Sequence, residues 1–446
     1  MSGTPDPYPV APAHAPLRGR VRPPGSKSLT CRTYLLAALA RGESRLRSPL
    51  RSDDTDRLLA ALNTLGVRSR WSGDDLVVSG CGGRLPLGGR IDLGDGGTPT
   101  RFMIAAACLA AAPVVVDGSP RMRERPVAEG VELLRQLGAR IRYVEAEGRL
   151  PVEVTPSSAM RGGAVEVGET ASSQFISALL LIGPFLPDGV VVRYAGTVTS
   201  PSYIALTRST MRRFGAEVRD ERWIGPRSDR VMPTPIDGRD VPIEADASSA
   251  VYWLAAGALV PDSEVWIEGV DPSSAQPDIG MLEVLRHAGA DWVRHGDGVT
   301  IFGPPVLRGV EEDLSTMPDG ALAVAAMASR AQGPTRLRGL RTLRVKESDR
   351  LTALATELRR IGCDASTTDD ALSIDPRWAD TTPVEIETYR DHRMAMAFAV
   401  LGLARPGIAI RDPECVAKSY PGFWNDLERV RGAPDGPPAR ASTLRP

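Results

Sequence analysis

Residues 42–67 read GESRLRSPLRSDDTDRLLAALNTLGV, and a stretch far along the chain repeats their pattern. Residues 333–363 read GPTRLRGLRTLRVKESDRLTALATELRRIGC, with the same order of predicted strand, turn, polar loop, amphipathic helix and glycine. Three further stretches follow this order, beginning VVVDGSPRMRERP, VVVRYAGTVTSPS and VWIEGVDPSSAQP, and GIAIRDPECVAKS begins a poorer sixth copy. Repetition on this scale indicates a fold built from copies of one unit.

Two kinds of helix recur in these copies. Each of the five clear copies has a glycine directly after its amphipathic helix, where a left-handed residue commonly ends a helix. A second helix, apolar on almost every side, precedes each copy and should be buried. The pattern predicts an α/β protein of six units, three in each of two domains. The glycines are Gly66, Gly138, Gly215, Gly289 and Gly362, separated by 72, 77, 74 and 73 residues.

The bulk composition favours a globular protein of at least two domains. The chain has 446 residues and a formal net charge of −1, so no general attraction to nucleic acid or acidic membrane is expected. Its five cysteines lack CxxC spacing, which argues for a reducing compartment and against zinc. No signal core or stretch of ~18 apolar residues is found, so we expect a cytoplasmic protein. We expect about the last 14 residues to be disordered, because they contain few apolar side chains.

Lysine is rare in this chain. Lys27, Lys346 and Lys418 are the only three among 54 basic residues, and each lies in a short polar motif. Arginine can replace lysine wherever a long solvated cation is enough, but not where a compact or titratable ammonium group is needed. The three lysines are therefore candidates for chemistry, and the plain alternative is that they are leftovers of a compositional bias.

Charged residues also begin several of the apolar helices. Serine and aspartate at these positions are explained as N-caps. Lys27, Arg32 and Arg393 are not, because a cation at a helix N-terminus opposes the helix dipole. A bound anion would remove this conflict, and free N–H groups at helix N-termini already favour phosphate. The sequence therefore predicts an anion site lined by several helix N-termini.

Three motifs add titratable groups. RVKESDR is interpreted as the first turn of an amphipathic helix carrying Lys346, Glu347 and Arg350, and a surface ion-pair cluster is the alternative. Asp319 opens an apolar helix, either as a cap or as a buried base near cations. His392 lies in DHRMAM and is interpreted as structural.

Together these segments closely resemble the 5-enolpyruvylshikimate-3-phosphate synthases, the enolpyruvyl transferases of aromatic amino-acid biosynthesis. The resemblance runs from about residue 17 to 430 and implies an inside-out α/β barrel of six βαβαββ units. It also implies one domain of residues 1–22 plus 243–446, a second of residues 23–242, and an active-site cleft between them. The segments that carry it are GSKSLTCR (25–32), GDGGTPTR (94–101), RMRERP (121–126), ASSQF (171–175), MPDGA (317–321), RVKESDR (344–350), DHRMAM (391–396) and AKSYPGF (417–423).

The resemblance further implies roles for the matching residues. Asp319 would accept a proton, Glu347 would donate one, and Lys27 would contact both substrates. Shikimate 3-phosphate would be bound by Lys27, Ser28, Arg32, Ser172, Ser173, Gln174, Ser200, Asp319 and Lys346. Phosphoenolpyruvate would be bound by Lys27, Gly97, Arg125, Gln174, Arg350, Arg393 and Lys418.

These roles fit the chemistry that the resemblance implies. Two multiply anionic substrates need a dense lining of cations, and arginine binds carboxylate and phosphate in bidentate fashion. The substrate 5-hydroxyl loses a proton as it attacks C2 of the enol, C3 gains one, and the tetrahedral intermediate then loses phosphate. We expect no metal or organic cofactor, small-molecule substrates as partners, a monomer, and closure of the cleft when substrates bind.

Departures from the family pattern leave some properties open. Asp95 and Thr342 stand where the family commonly has asparagine, and PTRF (99–102) where AMRP is commoner, so binding of glyphosate-like analogues is not predicted. One alternative function is enolpyruvyl transfer to UDP-N-acetylglucosamine, whose enzymes use a loop cysteine that RMRERP lacks. A second is a non-catalytic module that binds anions or phosphorylated RNA, which would need neither Asp319 nor Glu347.

Overall fold

A computed structural model describes residues 4–170, 172–221, 227–377 and 382–432. The C-terminal stretch predicted to be disordered lies outside these residues. The chain divides into two compact units. Met1–Pro24 and Ala245–Pro446 form the discontinuous unit, and Gly25–Glu244 forms the continuous unit.

Thirteen α-helices are found in the described residues. Six of them are almost fully buried (α1, α3, α6, α8, α10 and α12 below), which confirms the prediction from their apolar sequences. In chain order, α1 to α13 are Lys27–Leu39, Asp53–Thr64, Gly97–Ala107, Pro120–Glu124, Ala128–Gln136, Ser173–Ile182, Pro201–Arg213, Ala247–Leu259, Met281–His287, Ala321–Ala328, Arg350–Arg360, His392–Gly402 and Phe423–Gly432.

The strands are short, mostly of three to five residues. In chain order, β1 to β23 are Tyr8–Pro9, Arg18–Val21, Arg41–Arg47, Arg68–Ser72, Asp75–Cys81, Gly89–Asp92, Val114–Asp117, Arg140–Tyr143, Val152–Thr155, Gly163–Val167, Val190–Tyr194, Val218–Glu221, Ser228–Val231, Asp240–Pro242, Glu264–Ile267, Asp291–His295, Gly298–Phe302, Glu311–Asp313, Thr335–Arg338, Asp364–Thr367, Leu372–Asp375, Val384–Ile386 and Ile408–Ile410.

Five sheets share one four-stranded topology. In the sheet β10-β11-β13-β12, the first two strands are parallel and joined through α6, and the other pairings are antiparallel. A parallel pair needs a crossover connection, and a buried helix supplies it for β6 and β7 (α3), for β10 and β11 (α6) and for β18 and β19 (α10). The other two parallel pairs of these five sheets, β3 with β14 and β2 with β15, join strands that are far apart in the chain. The sixth sheet has three strands, β1-β23-β22, and corresponds to the poorer sixth copy.

Each unit has a hydrophobic core of its own. The core of the continuous unit includes Leu36, Phe102 and Leu180 from its three buried helices, and that of the discontinuous unit includes Trp253 and Phe398. Burial of these apolar surfaces drives the packing of helices on sheets. Within the described residues, no helix is both long and apolar enough to cross a membrane.

The five predicted helix-ending glycines all adopt left-handed backbone. Their φ values are 93° at Gly66, 100° at Gly138, 86° at Gly215, 89° at Gly289 and 95° at Gly362. A side chain at such a position is strained, which explains why glycine recurs there. The prediction of glycine C-caps is confirmed.

The start of α11 corrects one sequence interpretation. Lys346 and Glu347 do not lie on the first turn of this helix, because α11 begins only at Arg350. Asp349 is the N-cap, and its carboxylate accepts a hydrogen bond from Thr352 N at 3.1 Å. Lys346 instead ends the 3₁₀ turn Arg341–Val345 in extended backbone.

Candidate active site

The discontinuous unit gathers three cations around one carboxylate. Asp319 lies in the 3₁₀ turn Pro318–Gly320, directly before α10. Its Oδ1 is 2.9 Å from Arg350 Nη1 and 3.3 Å from Lys346 Nζ, and its Oδ2 is 3.3 Å from Arg393 Nη2. Four residues singled out in three separate motifs therefore meet at a single side chain.

The cations keep Asp319 ionised. Burial by itself raises the pKa of this carboxyl, but Arg393, Lys346 and Arg350 together outweigh burial and hold the pKa well below its usual range. Nearby opposite charges favour the charged form of an acid in this way. Asp319 is therefore a carboxylate at neutral pH, available to accept a proton or a hydrogen bond.

Glu347 lies on the other side of the same arginine. Its Oε2 is 2.8 Å from Arg350 Nη2, and its Oε1 is 3.4 Å from Lys418 Nζ. Lys418 is buried at the end of the 3₁₀ turn Pro413–Lys418. Two carboxylates and two lysines are thus linked through one guanidinium group.

Arg350 is the centre of this cluster, and only 1% of its side chain is exposed. Its Nε donates to Asp391 Oδ2 at 2.7 Å, in addition to its contacts with Asp319 and Glu347. Burial lowers the pKa of Arg350, but the charges of Asp391, Glu347 and Asp319 outweigh burial and raise it. The guanidinium is permanently charged and is oriented from three directions.

A further buried carboxyl group, Asp278, supports the turn that carries Asp319. Its Oδ1 accepts a hydrogen bond from Gly320 N at 3.1 Å, and its Oδ2 accepts one from Ser248 Oγ. Burial and the negative charge of Asp319 raise the pKa of Asp278 to about 6. Two neighbouring carboxyl groups therefore have pKa values displaced in opposite directions, as is common at catalytic sites.

In the continuous unit, an ion pair between Lys27 and Asp54 joins the N-termini of α1 and α2. Lys27 is the first residue of α1, and its Nζ is 3.0 Å from Asp54 Oδ2 in the first turn of α2. A Cβ atom added to Gly96, the N-cap of α3, would lie 3.2 Å from Asp54 Oδ1. The negative charge of Asp54 is favourable near the N-termini of α2 and α3, and it offsets the positive charge of Lys27.

Arg32 is a buried cation whose described partners are neutral. Its Nε donates to Thr207 Oγ1 at 2.8 Å, its Nη1 to Ser28 O at 2.8 Å, and its Nη2 to Tyr203 O at 3.2 Å. Burial lowers the pKa of Arg32 to about 10, which leaves it charged at neutral pH. No carboxylate is among these partners, so a bound anion would be its natural counter-charge.

The guanidinium group of Arg125 packs closely against Gly97. A Cβ atom added to Gly97 would lie 2.7 Å from Arg125 Nη1, so the guanidinium group would have to move if residue 97 carried a side chain. Arg125 is 8% exposed, and its Nε has no hydrogen-bond partner among the described residues. Gln174 Nε2 donates to Thr98 Oγ1 at 2.9 Å, which ties the first turn of α6 to that of α3.

The predicted serines lie at three helix N-termini of the continuous unit. Ser28 is in the first turn of α1. Ser172 is the N-cap of α6 and accepts a hydrogen bond from Gln174 N, while Ser173 is the first residue of that helix. Ser200 precedes α7 in left-handed backbone with φ 49°. The N-terminal ends of α1, α6 and α7 thus carry the polar groups, while their middles are buried.

The sequence reasoning missed three carboxylates that the structure places at predicted site residues. Asp54 contacts Lys27, Asp391 contacts Arg350, and Asp278 supports the turn of Asp319. Asp391 sits in a motif that was singled out, so its position beside His392 could have suggested a role. Asp54 and Asp278 resemble ordinary acids at helix starts, and nothing local distinguishes them.

Comparison with known proteins identifies the family. Residues 12–427 match the family described as EPSP synthase (3-phosphoshikimate 1-carboxyvinyltransferase). The chain belongs to the EPSP synthase family. Among its relatives named 3-phosphoshikimate 1-carboxyvinyltransferase, one from Methanoculleus marisnigri is 40% identical over 406 residues, covering 91% of this chain and 94% of the relative. Another from Klebsiella pneumoniae is 40% identical over 422 residues, covering 93% and 97%.

A solved EPSP synthase has the same fold. The structure of EPSP synthase from Acinetobacter baumannii has a TM-score of 0.79 to this chain at 26% sequence identity. The match covers 95% of this chain and 97% of that structure. The predicted fold class, a two-domain α/β fold of the EPSP synthase type, is confirmed.

Proposed function

We propose that the chain is a 3-phosphoshikimate 1-carboxyvinyltransferase. It transfers the enolpyruvyl group of phosphoenolpyruvate to the 5-hydroxyl of shikimate 3-phosphate and releases phosphate. The observation that carries the proposal is the cluster of Lys346, Arg350 and Arg393 around Asp319 in a chain of this family. The cluster combines a dense positive charge, which suits two anionic substrates, with an ionised carboxylate that can accept a proton.

Asp319 accepts the proton of the attacking 5-hydroxyl. In the unliganded protein its basicity is low, because three cations stabilise the carboxylate. A bound phosphoenolpyruvate engages some of the same cations, so the anion weakens their hold on Asp319 and raises its proton affinity. The base thus becomes stronger when substrate is present.

Glu347 enters the reaction in its protonated form and donates the proton that C3 of the enol gains. Arg350 and Lys418 hold its two carboxyl oxygens, so the group is fixed in direction. Addition gives a tetrahedral intermediate in which the substrate oxygen is bonded to C2. In the elimination, the Glu347 carboxylate takes a proton from C3, the C2–C3 double bond forms as the C2–O bond to phosphate breaks, and Asp319 returns its proton to the departing phosphate.

The remaining predicted residues bind the two substrates. Lys27 contacts both, and its compact ammonium group suits a shared position between two anions. Shikimate 3-phosphate is held by Lys27, Ser28, Arg32, Ser172, Ser173, Gln174, Ser200, Asp319 and Lys346. Phosphoenolpyruvate is held by Lys27, Gly97, Arg125, Gln174, Arg350, Arg393 and Lys418. The buried guanidinium of Arg32 and the unsatisfied Nε of Arg125 support these assignments.

The two alternative functions are not favoured. The relatives from Methanoculleus marisnigri and Klebsiella pneumoniae are named for 3-phosphoshikimate and not for a nucleotide sugar. A non-catalytic anion-binding module would not need Asp319 and Glu347, since carboxylates weaken anion binding. The anion-binding alternative also does not explain the paired acids within the cationic cluster.

We also propose that the protein acts as a monomer in the cytoplasm. In the described residues, six large apolar side chains are exposed, and a self-association surface would require several of them to form one contiguous patch. They are Leu87, Val144, Val293, Val306, Val345 and Tyr389. Light scattering should give a molar mass near 47.7 kDa, and a mass near twice this value would contradict the proposal.

Phosphate release tests the proposed reaction. The protein should release phosphate from phosphoenolpyruvate with shikimate 3-phosphate, and not with UDP-N-acetylglucosamine as acceptor. Asp319→Asn keeps the shape of the side chain but removes its basicity, so it should lower kcat by about 100-fold or more. Asp188→Asn is a matched control, since Asp188 is exposed and forms a surface ion pair with Arg161. No release with shikimate 3-phosphate, or equal release with both acceptors, would refute the function.

A further inference from the structure

Two consecutive residues before the DHRMAM motif have strained backbone. Tyr389 and Arg390 adopt φ values of 56° and 57°. Residues other than glycine and asparagine rarely occupy this left-handed region, and such strain persists only where surrounding contacts hold it. The turn leads directly into Asp391, which contacts Arg350, and into Arg393, which contacts Asp319.

A fully buried carboxylate outside the cluster holds this turn. Glu357 lies in the middle of α11 and is 0% exposed. Its Oε1 accepts a hydrogen bond from Tyr389 Oη at 2.9 Å. Its Oε2 accepts from Glu387 N at 3.2 Å and from Arg360 Nη1 at 2.7 Å. Both oxygens are therefore used, and two of the three donors belong to the segment before Asp391.

The helix α11 is thus bound to the same segment at two points. At its N-terminus, Arg350 binds Asp391, and seven residues later Glu357 binds the backbone and side chain of residues 387 and 389. Seven residues are two helical turns, so both side chains lie on one face of α11. Burial raises the pKa of Glu357, which means that the ionised group is costly to keep inside the fold. A contact that stabilised the fold alone could be made more cheaply by apolar side chains.

We propose that Glu357 is a positioning residue that holds the left-handed turn at Tyr389 and Arg390, and thereby places Asp391 and Arg393. Its effect on catalysis rests on the proposed function, in which Arg350 and Arg393 bind phosphoenolpyruvate. Loss of the Glu357 contacts should let the turn relax and should displace both arginines from their positions around Asp319.

Three substitutions separate positioning from packing. Glu357→Ala removes all the contacts of the carboxylate. Glu357→Gln keeps the volume, and its amide can accept from Glu387 N and Arg360 while donating to the Tyr389 hydroxyl. Arg390→Asn relieves strain at the turn, because asparagine tolerates the left-handed region, and it should rescue Glu357→Ala if strain is what the carboxylate opposes.

Hydrogen exchange in the unliganded protein tests the structural part without reference to activity. Glu357→Ala should speed exchange of the amides of Glu387 and Asp391 by about tenfold, whereas Glu357→Gln should stay near the parent rate. The double variant with Arg390→Asn should return toward the parent rate. Unchanged exchange in Glu357→Ala, or no rescue by Arg390→Asn, would overturn the proposal.

Kinetics tests the catalytic part. Glu357→Ala should raise the KM for phosphoenolpyruvate by about tenfold with a smaller change in kcat, and Glu357→Gln should change neither by more than about twofold. Equal effects of the two variants would show that the negative charge of Glu357 is required, and not its hydrogen bonds to the turn, and would overturn the proposal. If Glu357→Ala does not fold, Tyr389→Phe serves in its place, because it removes a single contact of Glu357. It should change the exchange rates and the KM by about threefold in the same direction as Glu357→Ala, and no change would count against the proposal.

Absence of phosphate release by the parent protein would refute the proposed function, while the exchange measurements would still decide the role of Glu357.

Discussion

At the scale of single residues, all three lysines contact a carboxylate at the candidate site. Lys346 and Lys418 each contact one of the two carboxylates proposed for proton transfer, and Lys27 contacts Asp54 at the N-terminus of α2. An ammonium group can approach two anions from one point, whereas a guanidinium group is larger and planar. The identity of the cation should therefore matter at these positions.

Replacement of each lysine by arginine tests this point. Lys27→Arg, Lys346→Arg and Lys418→Arg should each lower kcat/KM by about 10- to 100-fold, because small displacements at a reacting centre are costly. Circular dichroism and thermal unfolding should remain near those of the parent protein. Arg161→Lys is the reverse control on an exposed ion pair and should leave activity unchanged. Near-parent kinetics in all three variants would contradict the interpretation of the lysines.

The raised pKa of Asp278 predicts a pH-dependent stability. This carboxyl group is 1% exposed and has a folded-state pKa of about 6, above the value of about 3.9 for unfolded aspartate. Its stabilising contribution is therefore complete below about pH 4 and is lost as the pH rises through 6. Asp278→Asn stays neutral and keeps an acceptor for Gly320 N.

From pH 4 to pH 7, the unfolding free energy of Asp278→Asn should therefore rise relative to the parent by up to about 3 kcal/mol. Urea unfolding at a series of pH values measures this difference. A difference that stays constant over this range would show that Asp278 does not titrate as the structure indicates.

At the scale of elements, the glycines that end the helices share a left-handed backbone conformation but differ in the atoms that lie close to them. A Cβ atom added to Gly138 would lie 1.8 Å from Ala159 O, which is a backbone atom. A Cβ atom added to Gly289 would meet only the side chain of Arg308, at 3.8 Å. The local pattern that predicted both glycines contains no information about this difference.

Alanine at these two caps should therefore have different costs. Gly289→Ala should lower the unfolding free energy by about 1 kcal/mol, the cost of left-handed backbone at a residue with a side chain. Gly138→Ala should cost at least about 3 kcal/mol, because the backbone around Ala159 must also move. Thermal or urea unfolding measures both, and equal costs would mean that the close contact at Gly138 relaxes freely.

At the scale of the whole molecule, the continuous unit has what an independent domain needs. Its core is formed by residues between Leu29 and Ile243, and its three sheets are complete within residues 25–244. The last strand, β14, pairs in parallel with β3 and so completes the first sheet. The discontinuous unit, by contrast, needs two chain segments, since β2 pairs with β15.

Residues 25–244 expressed alone should therefore fold cooperatively. A single sigmoidal thermal transition and dispersed amide resonances would support this expectation. A shorter piece ending at residue 238 lacks β14 and should be less stable by about 2 kcal/mol or more, because β3 loses its parallel partner. An unfolded 25–244 fragment would show that its core depends on the rest of the chain.

Local patterns of residues were enough to predict the repeat, the α/β class, the six buried helices and the glycine caps. It also singled out most of the charged residues around Asp319 and Arg350, through short motifs at helix starts. These features follow from periodicity, apolar content and cap chemistry, which are properties of neighbouring residues. The start of α11 was misplaced because the capping contact of Asp349 decides it, and the charges of RVKESDR do not reveal which acid makes that contact.

The pairing of the charged side chains, and the effect of burial on their pKa values, could be read from the three-dimensional fold alone. Asp391 reaches Arg350 across 41 residues, Asp54 reaches Lys27 across 27, and Asp278 reaches Gly320 across 42. The opposite pKa shifts of Asp319 and Asp278, and the hold of Glu357 on a strained turn, depend on these approaches. The physical reason is that Coulomb energy, desolvation and hydrogen bonding depend on distance through space and on burial, which no local pattern specifies.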